Sequence, residues 1–425
     1  MSDTQTTLRV SGLRVGDTLR GDVTGPGGVL LLARGRRIEP GLLARLEQWG
    51  IQEVTLDTTE PPAPPETPET PEADEAATPA EPPQADPPDA PGAPGVEPTR
   101  PASEVLLPEA YEMGAEPAPP LPRVPEERFA EVSAAAGSEM SDSIDRYGPL
   151  GAALRSGQLG DGGPAVELLL GLRRVGDLDI DLITLMLLLQ RPGTPPGLQH
   201  AVRHAAVAMR LARGLGLGPD ATLDAGLVAL FSDIGMSAVA EDLLHRPGKL
   251  STTDWERIHR HCAASADLVA KVRGIRPIVH HAVYQHHERP DGSGYPKGRS
   301  GAFLHPLARI ASVADVFTAV TEDRPHRPAR SPHHAVRATL EGVRAGRLDS
   351  AVVRALINEV SLFPLGTPLR LSDGRRGTVH RTDAAANDRP VVRFADGRKP
   401  RTVQLSLTPE LKITGVEDPP AKRAA

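Results

Sequence analysis

The stretch Tyr284-Gln285-His286-His287-Glu288-Arg289-Pro290-Asp291-Gly292-Ser293-Gly294-Tyr295-Pro296 carries the densest chemistry in the chain. Its start suits the end of a helix, and its Gly and Pro residues demand a turn-rich loop. Adjacent His286 and His287 point about 100° apart on a helix. As ligands they serve two neighbouring metals more easily than one. Upstream, LSTTDWERIHRH offers Ser251 as a helix N-cap, with Asp254 three residues later completing a capping box, and brings His261 onto that helix. Further upstream lie FSDIG with Asp233 and LQHAVRH with His200 and His204; downstream lies SVADVF with Asp315. All fourteen histidines fall between His200 and His380. The set His200, Asp233, His261, His286, His287 and Asp315 offers nitrogen and oxygen without sulfur, which suits Fe, Mn or Zn. Taken singly, a helical histidine is more often a satisfied core or surface residue. Six such groups in one region make a divalent metal site, with Fe or Mn among the candidate ions, the better reading.

Around this region the chain divides by composition. From about 127 to 362 the pattern is helical: AVRHAAVAMRLARGLGL places Val202, Ala205, Met209 and Ala212 at spacings of three and four, with Gly214 as a stop signal. Residues 1–59 alternate short apolar runs with Gly turns, include a helix expected over Pro40–Trp49, and end in the strand-like IQEVTL, a small α+β module. Residues 60–126 read as a disordered spacer, since 60–125 hold 21 of the 44 prolines. Residues 363–416 carry Asp373-Gly374 and Asp396-Gly397 between strand-like runs, which predicts hairpins in a small β module, with 417–425 as a tail. The fold class expected is therefore multidomain and mainly α.

The net charge of −7 is not spread evenly. Residues 61–100 contain nine Asp or Glu against one Arg, so the remainder is close to neutral. That balance gives no sign of a nucleic-acid partner, and the mild basic excess of the C-terminal module lacks interleaved aromatics. One cysteine, Cys262, excludes an internal disulfide framework and a multi-thiolate zinc site. No run of about 18 apolar residues occurs, so no membrane span is expected. The start MSDTQTTLRV lacks a basic-then-apolar leader, and a cytoplasmic location is the expectation.

With these residues in place, the stretch from Gln199 to Arg327 resembles the HD-GYP domains, metal-dependent phosphodiesterases that hydrolyse cyclic di-GMP. Gly294-Tyr295-Pro296 is the namesake loop; LSTTDWERIHRH and SVADVFTAVTEDRPHR match in order and spacing. The resemblance implies an all-helical domain in which His200, Asp233, His261, His286, His287 and Asp315 hold two metals, with Asp233 bridging them as the catalytic carboxylate. Arg324, Arg327 and Tyr295 would contact the substrate. The flanking modules resemble those that many such proteins carry. Helical domains of this kind often pair, so a homodimer is an open expectation.

The departures from the family pattern bear on activity. Ser232 stands where the family has the histidine of its HD doublet, Met236 where it has a lysine facing phosphate, and Thr318 where it has a second Asp after the distal ligand. Pro196 stands where some members carry a Glu for a third metal. His204, four residues after His200, shares its helix face and is a candidate to replace the missing imidazole; the competing reading tucks it into helix packing. Hydrolysis is therefore expected to be weak or absent. The alternative is a catalytically inactive module that binds a nucleotide, cyclic di-GMP or a related one, or a protein partner through the GYP loop.

Overall fold

The computed structural model describes residues 5–9, 14, 22–24, 30–32, 53–57, 118–239, 243, 251–323, 327–383, 386–394 and 401–417. They fall into two compact units divided after Pro82. In the first, strands β1 (Gln5–Arg9), β2 (Asp22–Thr24), β3 (Leu30–Leu32) and β4 (Glu53–Asp57) form an antiparallel sheet of order β1-β4-β2-β3. The helix expected over 40–49 and most of the expected spacer lie outside the described residues.

The second unit begins earlier than composition suggests. Residues 118–125, assigned to the spacer, pack on the helices instead: Leu121 is buried and the Val124 amide donates to the Asp179 carboxylate at 2.7 Å. Among the described residues ten α-helices follow: α1 (Glu126–Arg155), α2 (Gly163–Gly176), α3 (Leu182–Leu188), α4 (Pro196–Gly214), α5 (Pro219–Phe231), α6 (Thr252–Val269), α7 (Pro277–Gln285), α8 (Pro306–Val320), α9 (Pro332–Arg344) and α10 (Ser350–Val360). Helix α4 is the axis, packed by α1, α5, α8 and α10. The expected apolar face of α4 is buried, but so is every residue from Ala201 to Ala212, as suits a helix enclosed on all sides. Its buried polar groups find partners: Arg210 and Arg213 reach Glu359 of α10 at 3.4 and 3.2 Å. Helix α4 does stop at Gly214, yet the left-handed residue after it is Gly216, with φ 77°. Gly214 instead lets Glu359 approach. The stretch Pro219–Ala238 is long and apolar enough in composition to cross a membrane, but 72% of it is buried among its neighbours, as in a core helix.

The C-terminal strands β5 (Pro368–Leu371), β6 (Arg376–Arg381), β7 (Val391–Phe394), β8 (Arg401–Gln404) and β9 (Ile413–Val416) form an antiparallel sheet of order β8-β7-β6-β5-β9. The β5–β6 hairpin turns at Gly374, whose φ of 86° suits glycine, as expected from Asp373-Gly374. Strands β7 and β8 pair across 395–400, which lie outside the described residues. The sheet is fastened to the helices by Arg381, 3% exposed, whose guanidinium meets Asp179 at 2.6 Å and Asp181 at 2.8 Å and lies over the Phe129 ring.

Candidate metal centre

Helix α6 starts with the capping box read from sequence: Ser251 accepts from the Asp254 amide, and Asp254 accepts from the Ser251 amide. That start sets the rotation that turns His261 inward. The His261 Nδ1 donates to the Ile258 carbonyl at 2.7 Å, and His286, at the end of α7, donates from Nδ1 to the Val283 carbonyl at 2.6 Å. With both Nδ1–H groups so engaged, the two Nε2 atoms carry lone pairs, and they face each other at 3.2 Å. Two converging lone pairs repel unless a cation or a proton lies between them. This is the chemistry of a ligand pair, and it fits a divalent metal.

Asp233 and His287 complete the cluster; one ligand atom from each of Asp233, His261, His286 and His287 lies within 4.8 Å of all the others. Asp233 Oδ1 faces His261 at 3.5 Å and His286 at 3.8 Å, while its Oδ2 faces His200 Nε2 at 3.8 Å. His200 Nε2 also faces Asp315 Oδ1 of α8 at 3.2 Å. All six expected ligands thus converge, with Asp233 touching both halves.

Charge follows this geometry. Desolvation works against an ionised Asp233, but His261, His286 and His200 outweigh it and hold the carboxyl below its usual range. Desolvation likewise opposes charge on Asp315, and His200 overrides it, so Asp315 is held well below. Burial, with the neighbouring imidazoles second, depresses His286 and His287 and keeps them neutral. A neutral imidazole and an ionised carboxylate are the forms that bind metal.

A close approach holds Asp233 against α6. Asp233 precedes a 3-10 turn, Ile234–Ala238, whose Gly235 sits directly on α6: a β-carbon there would lie 2.5 Å from the His261 carbonyl oxygen. Ser265 staples the contact, accepting from the Gly235 amide at 2.8 Å and donating to the Ser232 carbonyl at 2.6 Å. The GYP loop folds back in the same way. Gly294 sits where a β-carbon would strike the His287 carbonyl, and buried Glu288 accepts from the Lys297 and Arg299 amides at 2.8 Å each. Tyr295 is thereby set beside His287, ring centroids 4.7 Å apart, and stacked on His259 at 3.7 Å.

Other expected residues have different surroundings. His204 is fully buried; its Nε2 donates to the Ala311 carbonyl at 2.9 Å, and its other nitrogen sits 3.5 Å from the Ser232 hydroxyl. That is the helix-packing reading of His204, because the Nε2 proton is fixed on a backbone carbonyl. The Ser232 hydroxyl donates to the Ala229 carbonyl at 3.0 Å. Arg327, expected on phosphate, instead donates to the Ala319 and Val320 carbonyls at the end of α8, a role suited to a cation at a helix C-terminus. Arg324 lies outside the described residues. Met236 is half-buried in the 3-10 turn, and Thr318 is buried with no partner for its hydroxyl among the described residues.

Two residues that sequence reasoning did not single out join the site. His259 stacks on Tyr295, and the RIHRH repeat was the available signal. Glu322 accepts from His200 Nδ1 at 2.8 Å, and no local pattern marks it.

Residues 189–352 match the family model of the HD domain. A cyclic di-GMP phosphodiesterase of Pseudomonas aeruginosa is 36% identical over 180 residues, covering 42% of this chain and 43% of that protein. A 3'3'-cGAMP-specific phosphodiesterase of Vibrio cholerae is 37% identical over 159 residues, 37% of each chain. The chain thus spans less than half the length of these relatives. A solved HDG"Y"P protein of Bdellovibrio bacteriovorus aligns with a TM-score of 0.40 and 14% identity, over 83% of this chain and 98% of that one.

Proposed function

We propose that the HD domain of this chain is a metal-dependent phosphodiesterase acting on a cyclic dinucleotide, cyclic di-GMP or 3'3'-cGAMP, the substrate classes named for its relatives. The observation that carries this reading is Asp233, whose two oxygens face His261 and His286 on one side and His200 on the other. One carboxylate so placed suits two metal ions held by His261, His286, His287, His200 and Asp315. Bound metals supply the Lewis-acid charge that stabilises the attacking and leaving oxygens of an in-line displacement. The chain does the rest. Backbone carbonyls orient His261 and His286 with lone pairs inward. Asp233 and Asp315 remain ionised in a partly desolvated recess, and Tyr295 sets an aromatic edge beside His287 for substrate contact.

Ser232 and Met236 make this a slow enzyme. Losing an outer partner of a metal ligand lowers affinity or activity about 10–100-fold, and losing a direct imidazole ligand lowers it at least as much. A missing cation where negative charge develops adds about 3 kcal/mol to the barrier. Both losses act on one step and need not add.

The test is single-turnover hydrolysis of cyclic di-GMP and of 3'3'-cGAMP by the purified full chain with Mn(II) or Fe(II), alongside Asp233→Ala, with bound metal counted in both. Turnover in the wild type that vanishes with metal in the variant supports the reading. Nucleotide binding without turnover replaces it with a receptor. Neither binding nor turnover removes the nucleotide altogether.

A further inference from the structure

Three imidazoles in the metal centre have defined inward-facing nitrogens, and they are oriented by different means. His261 and His286 each donate from Nδ1 to a carbonyl three residues earlier, a contact their own helical segment supplies. His200 donates from Nδ1 to the Glu322 carboxylate, which arrives from 122 residues away. Glu322 is 7% exposed and lies just past the end of α8. Its other oxygen accepts from Arg203 Nη1 at 3.3 Å.

Arg203 is itself 1% exposed and donates to the Leu189 carbonyl and to Gln199 Oε1. Gln199 in turn clamps the segment before α4, accepting from the Arg191 amide and donating to the Arg191 and Thr194 carbonyls. The carboxylate is therefore held at both oxygens, and its direction is fixed by buried partners.

We infer that Glu322 is a positioning residue that selectively controls metal binding at the His200–Asp315 half of the centre; the inference rests on the two-metal reading above. A carboxylate on Nδ1–H fixes the imidazole tautomer and ring orientation and strengthens it as a donor. Here it leaves His200 Nε2 directed toward Asp315 at 3.2 Å and Asp233 at 3.8 Å. The His261–His286 half takes no orientation from Glu322, so the two halves respond differently when it is changed.

The experiment titrates Mn(II) into the full chain and into Glu322→Ala and Glu322→Gln, reading stoichiometry by calorimetry and the exchange-coupled signal of adjacent Mn ions by paramagnetic resonance. Two ions are expected in the wild type. In Glu322→Ala one site weakens about 10–100-fold while the other keeps its affinity, and the coupled signal disappears at Mn concentrations that fill only one site. Glu322→Gln, which retains an acceptor oxygen for Nδ1–H, falls between the two. Should Glu322→Ala fail to fold, Glu322→Gln decides alone through selective weakening of one site. Two ions bound with unchanged affinity in the variants, or equal weakening of both sites, overturns the inference and leaves the two-metal reading intact. No Mn bound by the wild type overturns both.

Discussion

Gly235→Ala tests how the centre is held together. An ideal β-carbon at Gly235 would lie 2.5 Å from the His261 oxygen, 2.6 Å from the Ser265 nitrogen and 2.8 Å from Ser265 Oγ, all below the 3.0 Å that real β-carbons respect. Two of these atoms are backbone of α6 and cannot swing aside. The 3-10 turn must therefore retreat, stretching the bonds from the Gly235 amide to Ser265 and from Ser265 to the Ser232 carbonyl. Overpacking of this kind costs about 1–3 kcal/mol, and each weakened hydrogen bond about 1 kcal/mol. Against this stands a gain of roughly 0.4–1 kcal/mol from a less flexible unfolded chain. The net loss is about 2–4 kcal/mol. At about 1.5 °C per kcal/mol for a unit of more than about 300 residues, the melting temperature falls by about 3–6 °C. Asp233, two residues before the glycine, moves with the turn, so Mn(II) affinity falls as well. The control is Gly197→Ala, exposed near the start of α4 with nothing within 4 Å of the new β-carbon, which should raise stability by about 0.5–1 kcal/mol. Both are read by thermal unfolding and Mn(II) titration. A Gly235→Ala protein that melts at or above the wild type and binds Mn(II) normally refutes the close-packing argument.

Two further outcomes follow from buried charge. His305 caps α8, accepting from the Leu307 amide, and burial, with His281 and Arg309 adding to it, lowers its pKa to about 4. Since the unfolded imidazole titrates near 6.5, the unfolded chain binds more protons between these values. The contribution is complete above about pH 6.5 and is lost as pH falls toward 4, roughly 3 kcal/mol in all. Denaturant midpoints at pH 7 and 4.5 should differ less in His305→Asn, and an equal drop in both proteins would count against the assignment. Arg381→Ala should destabilise the contact between sheet and helices by about 3–5 kcal/mol, because Asp179 and Asp181 stay buried without their cation. Amide exchange across residues 368–416 would report it, and protection unchanged from the wild type would show that the pair is not what holds the sheet.

The histidines and aspartates of the centre were legible because each sits within a short segment whose local rules turn it one way. The capping box at Ser251 rotates α6, and paired His286 and His287 at a helix end reach different partners. What the sequence hid depends on contacts between distant segments. Burial of α4 on every side follows from its being enclosed by neighbouring helices on all sides, and its own alternation of apolar and polar residues reads as a one-sided helix. Residues 118–125 look like spacer because proline dominates them, yet buried Leu121 and hydrogen bonds to Asp179, Ile180 and Arg213 attach them. Arg327 reads as a phosphate ligand by its motif, and only the end of α8 shows which carbonyls it meets.

The same distinction explains why the two halves of the centre should tolerate change differently. The His261–His286 half is held by backbone: carbonyls of Ile258 and Val283 orient the rings, and the Ser265 staple joins backbone of the Asp233 turn to α6. Most substitutions at Ile258 or Val283 leave those carbonyls in place, so this half is vulnerable mainly at Gly235, where space runs out, and at Ser265, whose hydroxyl makes the staple. The His200 half depends on side chains, Glu322 on His200 and Arg203 on Glu322, and either can be deleted by one substitution without obstructing the helices. Weak metal occupancy, where it arises by mutation, should therefore begin at His200 and Asp315, with Asp233 retained by the opposite half.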